Sequence, residues 1–144
     1  MNSLTQMNLA LEWLEEHLTE EIDFRRLACV AACSEYHFRR MFSTLAGMPL
    51  GEYIRRRRLS VAVEALKNGN AQIVDLALQY GYESPDSFRK AFRTMHGVNP
   101  SQVRKPGVKT KAFAPITFRL TVLGGVELEY RIVEKQAFYI VGFK

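Results

Sequence analysis

The chain repeats itself. Ser34-Glu35-Tyr36-His37-Phe38-Arg39-Arg40-Met41-Phe42 lines up with Ser84-Pro85-Asp86-Ser87-Phe88-Arg89-Lys90-Ala91-Phe92, and Phe38/Phe88, Phe42/Phe92 and Gly47/Gly97 each differ by 50 positions. Upstream, Leu27-Ala28 matches Leu76-Ala77 at an offset of 49, so the second copy has one extra residue in its turn. Each copy reads as a short helix, a tight turn, and a helix with aromatics at i and i+4. Residues four apart share a helix face, so each aromatic pair points inward, while Leu-Ala on the shorter helix lets the two helices approach closely. The pattern is a helix-turn-helix, made twice. It leaves Tyr36, Arg39 and Arg40 in the first copy, and Asp86, Ser87 and Lys90 in the second, on outer faces.

The remaining helices follow from periodicity and punctuation. Leu4, Leu11, Leu14 and Leu18 predict a first helix over Thr5 to Leu18. Asp23 suits the cap of a short helix from Phe24 to Ala31, and Ser34 the cap of Glu35 to Leu45, which stops at Gly47. Pro49 fits the first turn of a longer helix reaching Lys67, and Asn68-Gly69-Asn70 ends it. Ile73 to Tyr80 and Pro85 to Met95 complete the second copy, and Asn99-Pro100-Ser101 starts a last short turn through Arg104. Beyond Lys105-Pro106-Gly107 the period changes to two. Ile116, Phe118, Leu120 and Val122 alternate with polar residues, Gly124-Gly125 signals a turn, and Val126, Leu128, Tyr130 and Ile132 alternate again. Ala137 to Phe143 reads as a third strand.

The expected fold is therefore mostly α: about seven helices forming two helix-turn-helix units joined by a long central helix, plus a short C-terminal β segment. The expected domains are 1–105 for the double helix-turn-helix, 106–111 for a basic linker, and 112–144 for a partial β segment. Three strands bury little and leave open edges, so that segment is expected to be the start of a larger domain.

Charge is distributed unevenly. Residues 1–24 hold six acids and no Lys or Arg, residues 25–111 carry a net +10, and residues 112–144 a net +1, for +5 over the 144-residue chain. A basic middle with two exposed polar helix faces suits a polyanion, and an exposed helix fits the major groove of duplex DNA. Arg forks onto guanine O6 and N7, Asp accepts from cytosine N4, and Ser is permissive.

These residues resemble the DNA-binding domain of AraC/XylS-type transcriptional regulators. The match runs over about residues 5–105 and rests on Leu27-Ala28, Ser34, Phe38-x-Arg40-x-Phe42, Gly47, Tyr53-Ile54, Arg58-Leu59-x-x-Ala62, Leu66, Ile73, Leu76-Ala77, Gly81-Tyr82, Ser87-Phe88, Phe92, Gly97, Pro100 and Arg104. The resemblance implies two recognition helices in successive major grooves of double-stranded DNA. It implies base-reading roles for Tyr36, Arg39, Arg40, Asp86, Ser87 and Lys90. His37, Arg55, Arg89 and Arg93 are candidates for the DNA backbone, with plain solvation the alternative for the three arginines. The resemblance makes RNA polymerase an expected partner and activator an expected class, with the sign of regulation left open by the sequence; two cysteines make a reducing cytoplasm the default compartment.

The chain departs from the family pattern at Ala32, where a turn glycine is usual, at Tyr36, where some members have tryptophan, and at Pro85, which opens the second recognition helix. The stretch Tyr130-Arg131-Ile132-Val133-Glu134-Lys135-x-Ala137-Phe138-x-Ile140-Val141-Gly142 resembles the opening of a GyrI-like effector-binding domain, which implies a small-molecule effector.

Other readings stand beside these. Arg55–Arg58 circles its helix, so its members cannot share one ligand; Arg58 is expected to make internal hydrogen bonds. Cys29 and Cys33 read as small buried hydrophobes, because two thiols without a spaced Cys/His set do not make a zinc site. No phosphate-cradling glycine loop, nucleophile elbow or carboxylate pair with a supporting His is present, which argues against an enzyme, and no cofactor is expected. No apolar run approaches a membrane span. The rival function is a small-molecule sensor whose helical domain serves mainly as a protein-interaction module.

Overall fold

The computed structural model describes residues 2–69, 71–121, 129–134 and 138–143. Its helices are α1 (Ser3–Glu16), α2 (Phe24–Val30), α3 (Glu35–Ala46), α4 (Leu50–Asn68), α5 (Ile73–Gln79) and α6 (Pro85–His96), with a 3-10 turn at Pro100–Gln102. Three strands follow: β1 (Ile116–Thr121), β2 (Glu129–Glu134) and β3 (Phe138–Phe143). They form one antiparallel sheet in the order β1-β2-β3, with Phe118 opposite Ile132 and Val133 opposite Tyr139. The expected Gly124-Gly125 turn lies outside the described residues.

The described residues gather into two compact units. The first takes the chain up to Glu16, then Ile22–Tyr53, then the segment from Ala114 onward; the second takes His17–Glu21 and Ile54–Phe113. Helix α4 starts in the first unit and continues through the second.

In the first unit, Met7, Leu11 and Leu14 of α1, Leu27 and Ala28 of α2, Phe38 and Phe42 of α3, and Tyr53 of α4 are all buried. Fully burying a side chain the size of Leu or Phe is worth about 1.5–3 kcal/mol, so the inward aromatic pair anchors α3. Strand β1 joins this core through buried Ile116 and Phe118. The Phe118 ring meets Phe42 edge-on at 6.2 Å between centroids, and Phe42 also packs against Tyr53 at 5.1 Å.

The backbone of β1 is tied as well. Phe118 N–H donates to Asn8 Oδ1 at 2.9 Å, Asn8 Nδ2 donates to the Phe118 carbonyl at 2.9 Å, and Ile116 N–H donates to the Tyr53 hydroxyl at 3.1 Å. A side-chain amide and a phenol thus satisfy Phe118 and the Ile116 N–H on the edge of β1 that faces away from β2.

In the second unit, Leu59, Ala62, Val63 and Leu66 of α4 pack with Leu76, Ala77, Tyr80, Phe88, Phe92 and Val103. Arg58 lies along this helix, donating from Nε to the Leu18 carbonyl and from Nη2 to the Glu20 carbonyl. That is the internal role expected for it. Helix α1 ends at Glu16, two residues short of the expected Leu18, and the guanidinium of Arg58 satisfies two carbonyls of the segment that follows. Arg104 closes the other end of α4, donating to the carbonyls of Leu66, Gly69 and Ala71.

Residues 111–113 are fixed to the same unit. Phe113 N–H donates to Ser60 Oγ, Arg57 donates to the Phe113 carbonyl, and the Arg56 guanidinium covers the Phe113 ring. Lys111 N–H donates to Nδ1 of buried His96, whose Nε2–H donates to the Leu59 carbonyl at 2.9 Å. A carbonyl must accept and an amide must donate, so these two partners fix the neutral Nε2–H tautomer. Burial holds the His96 pKa below its usual value, and the Leu59 carbonyl opposes that shift.

Candidate nucleic-acid interface

The two turns are built alike. In the first, Ala32 N–H donates to the Cys29 carbonyl and Cys33 N–H to the Ala28 carbonyl; in the second, Gly81 N–H donates to Leu78 and Tyr82 N–H to Ala77. Both turn residues are left-handed, Ala32 at φ 59° and Gly81 at φ 79°. Glycine adopts this conformation freely, whereas alanine brings its Cβ against the following carbonyl. The departure at Ala32 therefore leaves the shape of the turn unchanged and is felt as strain.

Each turn delivers a capped second helix. Ser34 Oγ accepts from His37 N–H and Ser84 Oγ from Ser87 N–H, both at 3.1 Å. Proline at position 85 sits in the first turn of α6, where no intrahelical N–H is needed. The caps aim α3 and α6 out of their turns with the aromatic pairs inward and the polar residues outward.

On α3, Tyr36 is 71% exposed and its hydroxyl accepts from Arg40 Nη1 at 3.2 Å. Arg39 is half-buried; its Nε donates to Glu35 Oε2 at 3.2 Å, and its guanidinium carbon lies 4.3 Å from the centroid of the Phe24 ring. His37 is exposed beside the cap. Tyr36, Arg39 and Arg40 line a shallow depression of about 490 Å³ together with Ser43, Pro49 and Leu50. Three expected base readers of the first copy are therefore brought together.

On α6, Asp86, Ser87 and Lys90 are exposed, as are Arg89 and Arg93. Arg89 Nη1 donates to Asp86 Oδ1 at 2.7 Å, and the Ser84 and Ser87 hydroxyls are 3.0 Å apart. An exposed i,i+3 pair of this kind adds little stability but sets where both side chains start from. Arg55 is exposed on α4 in the second unit.

Two elements of the first face escape sequence reasoning. The Glu35–Arg39 pair has an i,i+4 signal in the sequence. The Phe24 stack has none, because its ring comes from a different helix. The cysteines correct the expectation of burial: Cys29 is exposed and Cys33 only partly covered. Helix α2 has seven residues and turns Leu27 and Ala28 to the core, which leaves Cys29 off that face. Partial burial raises the Cys33 thiol pKa. Among the described residues no group of three or more His, Cys, Asp or Glu could hold a metal, and no helix is long and apolar enough to cross a membrane.

Comparison with known proteins agrees with this geometry. A helix-turn-helix domain family matches residues 27–106. The HTH-type transcriptional activator AarP of Providencia stuartii is 40% identical over 94 residues, covering 65% of this chain and 70% of its own. Regulatory protein SoxS of Salmonella typhimurium is 35% identical, covering 65% of this chain and 88% of its own. The right origin-binding protein of Escherichia coli is 38% identical, but only 33% of its length is matched. By name these relatives are a transcriptional activator, a regulatory protein and an origin-binding protein.

Among solved structures, the DNA-binding domain of AdpA in complex with a target DNA superposes with a TM-score of 0.58 at 26% identity, covering 74% of this chain and 99% of that one. An AraC-type regulator from Chromobacterium violaceum, at 22% identity and a TM-score of 0.63, shares the fold over 72% of this chain and 96% of that one. By its repeated turns, its capped outer helices and these relatives, the chain belongs to the AraC family of helix-turn-helix, DNA-binding transcriptional regulators.

Proposed function

We propose that the chain reads double-stranded DNA through both outer helices, α3 and α6, placed in successive major grooves about one helical turn, roughly 34 Å, apart. Tyr36, Arg39 and Arg40 read bases from α3, and Asp86, Ser87 and Lys90 from α6. His37, Arg55, Arg89 and Arg93 hold phosphates, setting register and salt sensitivity. Residues 1–105 supply the DNA-binding part, 106–111 the linker, and 112–144 the start of an effector-binding part.

The observation that carries this reading is the convergence of Tyr36, Arg39 and Arg40 on one exposed face of a capped helix, above a fully buried aromatic pair. Rigid support beneath and hydrogen-bonding groups above are what base readout requires.

Regulation comes from a small-molecule effector acting through a GyrI-like C-terminal domain, of which Tyr130 to Gly142 is the opening. The protein works in the cytoplasm with RNA polymerase as its partner, as an activator, the role named for AarP.

Selection from random duplex DNA at near-physiological salt tests the reading. A bipartite consensus with half-sites about ten base pairs apart supports both helices as readers. A single half-site removes α6 from that role. Enrichment of nothing, with steep salt loss, overturns sequence-specific recognition and favours a sensor whose helical part binds protein.

A further inference from the structure

Arg39 is held on two sides. Glu35 takes its Nε, and the Phe24 ring lies against the guanidinium plane at 4.3 Å. Phe24 is half-buried at the first position of α2, where Asp23 caps the helix by accepting from the N–H groups of Arg25 and Arg26. With Nε engaged, the end of the fork, Nη1 and Nη2, is what Arg39 offers to a ligand. Two parallel donors on a rigid planar cation match guanine O6 and N7.

The neighbouring carboxylate matters too. A guanidinium already paired with Glu35 gains less from a phosphate charge, yet it keeps its two donors for a base edge. A stacked and paired side chain has also given up its rotamer freedom before DNA arrives. Arg40 differs, because one of its two end nitrogens, Nη1, already donates to the Tyr36 hydroxyl, so the edge it offers is Nε with Nη2.

We infer that Phe24, which is not on a recognition helix, is a specificity-determining positioning residue: its ring, with Glu35, holds Arg39 to read one guanine end-on. The inference rests on the proposal that α3 enters a major groove.

The test uses the intact 144-residue chain. Binding to the selected duplex and to its single-base-pair variants is measured for wild type, Phe24→Leu, Phe24→Tyr, Arg39→Ala and the Phe24→Leu/Arg39→Ala double variant, at two salt concentrations. Arg39→Ala is expected to flatten the preference at one G·C pair. Phe24→Leu weakens the preference at that same pair about two- to five-fold, the size of an exposed cation–π contact, and leaves other positions and the salt dependence unchanged. Phe24→Tyr, which keeps a ring, retains the preference. The double variant is no worse than Arg39→Ala, because the ring acts only through the arginine.

Glu35→Ala, at an exposed position, gives an independent arm should Phe24→Leu fail to fold. It is expected to lose discrimination at the same pair while gaining non-specific affinity, because Arg39 then becomes an unpaired cation. Uniform loss over all sequences in Phe24→Leu, or additivity in the double variant, overturns the inference. So does a shallower salt dependence in Arg39→Ala with base preference intact, which marks a phosphate contact. If wild type selects a site and Arg40→Ala alters it while Phe24→Leu does nothing, this inference fails and the DNA-reading proposal stands. If wild type selects no site, both fail.

Discussion

Exchanging the residues of the two turns gives a paired stability prediction with opposite signs. Ala32 and Gly81 hold the same left-handed conformation and the same two backbone hydrogen bonds. Ala32 is exposed, so its methyl group contributes no packing. A left-handed L-residue costs about 1–2 kcal/mol, and glycine costs about 0.5–1 kcal/mol more entropy to order than alanine. Ala32→Gly is therefore expected to stabilise the fold by about 0.5–1 kcal/mol.

A Cβ built on Gly81 meets nothing within 4 Å, so Gly81→Ala adds no clash and destabilises by about the same amount through conformation alone. For a chain of this length, the unfolding entropy of about 2.1 cal/mol/K per residue turns that into shifts of about 2–3 °C, up for Ala32→Gly and down for Gly81→Ala. Circular dichroism melts and urea titrations of both variants beside wild type measure it. A lower midpoint for Ala32→Gly, or a neutral Gly81→Ala, refutes the strain argument, since the two substitutions change nothing else that the structure shows.

Three further outcomes are expected. Asn8→Ala leaves the Phe118 N–H and carbonyl without their partner and is expected to cost about 2 kcal/mol, read from the urea midpoint at constant m-value. His96 has a folded pKa below its unfolded value, so the unfolded chain binds the extra proton first as pH falls. Its contribution is fully present above about pH 6.5 and is lost below that, toward the folded pKa; melts from pH 7.5 to 5 check this, with His96→Gln flattening the slope. Arg40→Ala is expected to lower specific DNA affinity by about 1–3 kcal/mol and blur preference at one or two base pairs, measured by competition binding on the selected site and its variants.

Much of the fold was legible because it is written twice. The Phe pairs and the serines before them predicted both outer helices, and Ala32 stood out as a departure from the family's usual turn glycine; its left-handed backbone came from the structure. The segment after α1 was less legible, since its carbonyls are satisfied by Arg58, some forty residues later in sequence. The outer face of α3 could be named from spacing, while the hold on Arg39 depends on Phe24 of another helix. Cys29 was misplaced because seven residues are too few for a reliable periodicity to show which side of α2 turns outward.

The closure of β1 by Asn8 and Tyr53 has a practical consequence. The alternating pattern that begins at Ile116 invites a cut just before it, to free a purely helical DNA-binding piece. Such a piece would have the Phe42 ring uncovered on one side and would leave an amide and a phenol without the backbone they were matched to. By the logic of its contacts, the strand is the last wall of the first helical unit before it is the first strand of a sheet. With Ile116 and Phe118 already engaged there by helix side chains, the flank at β3 is the more open side on which the sheet can extend.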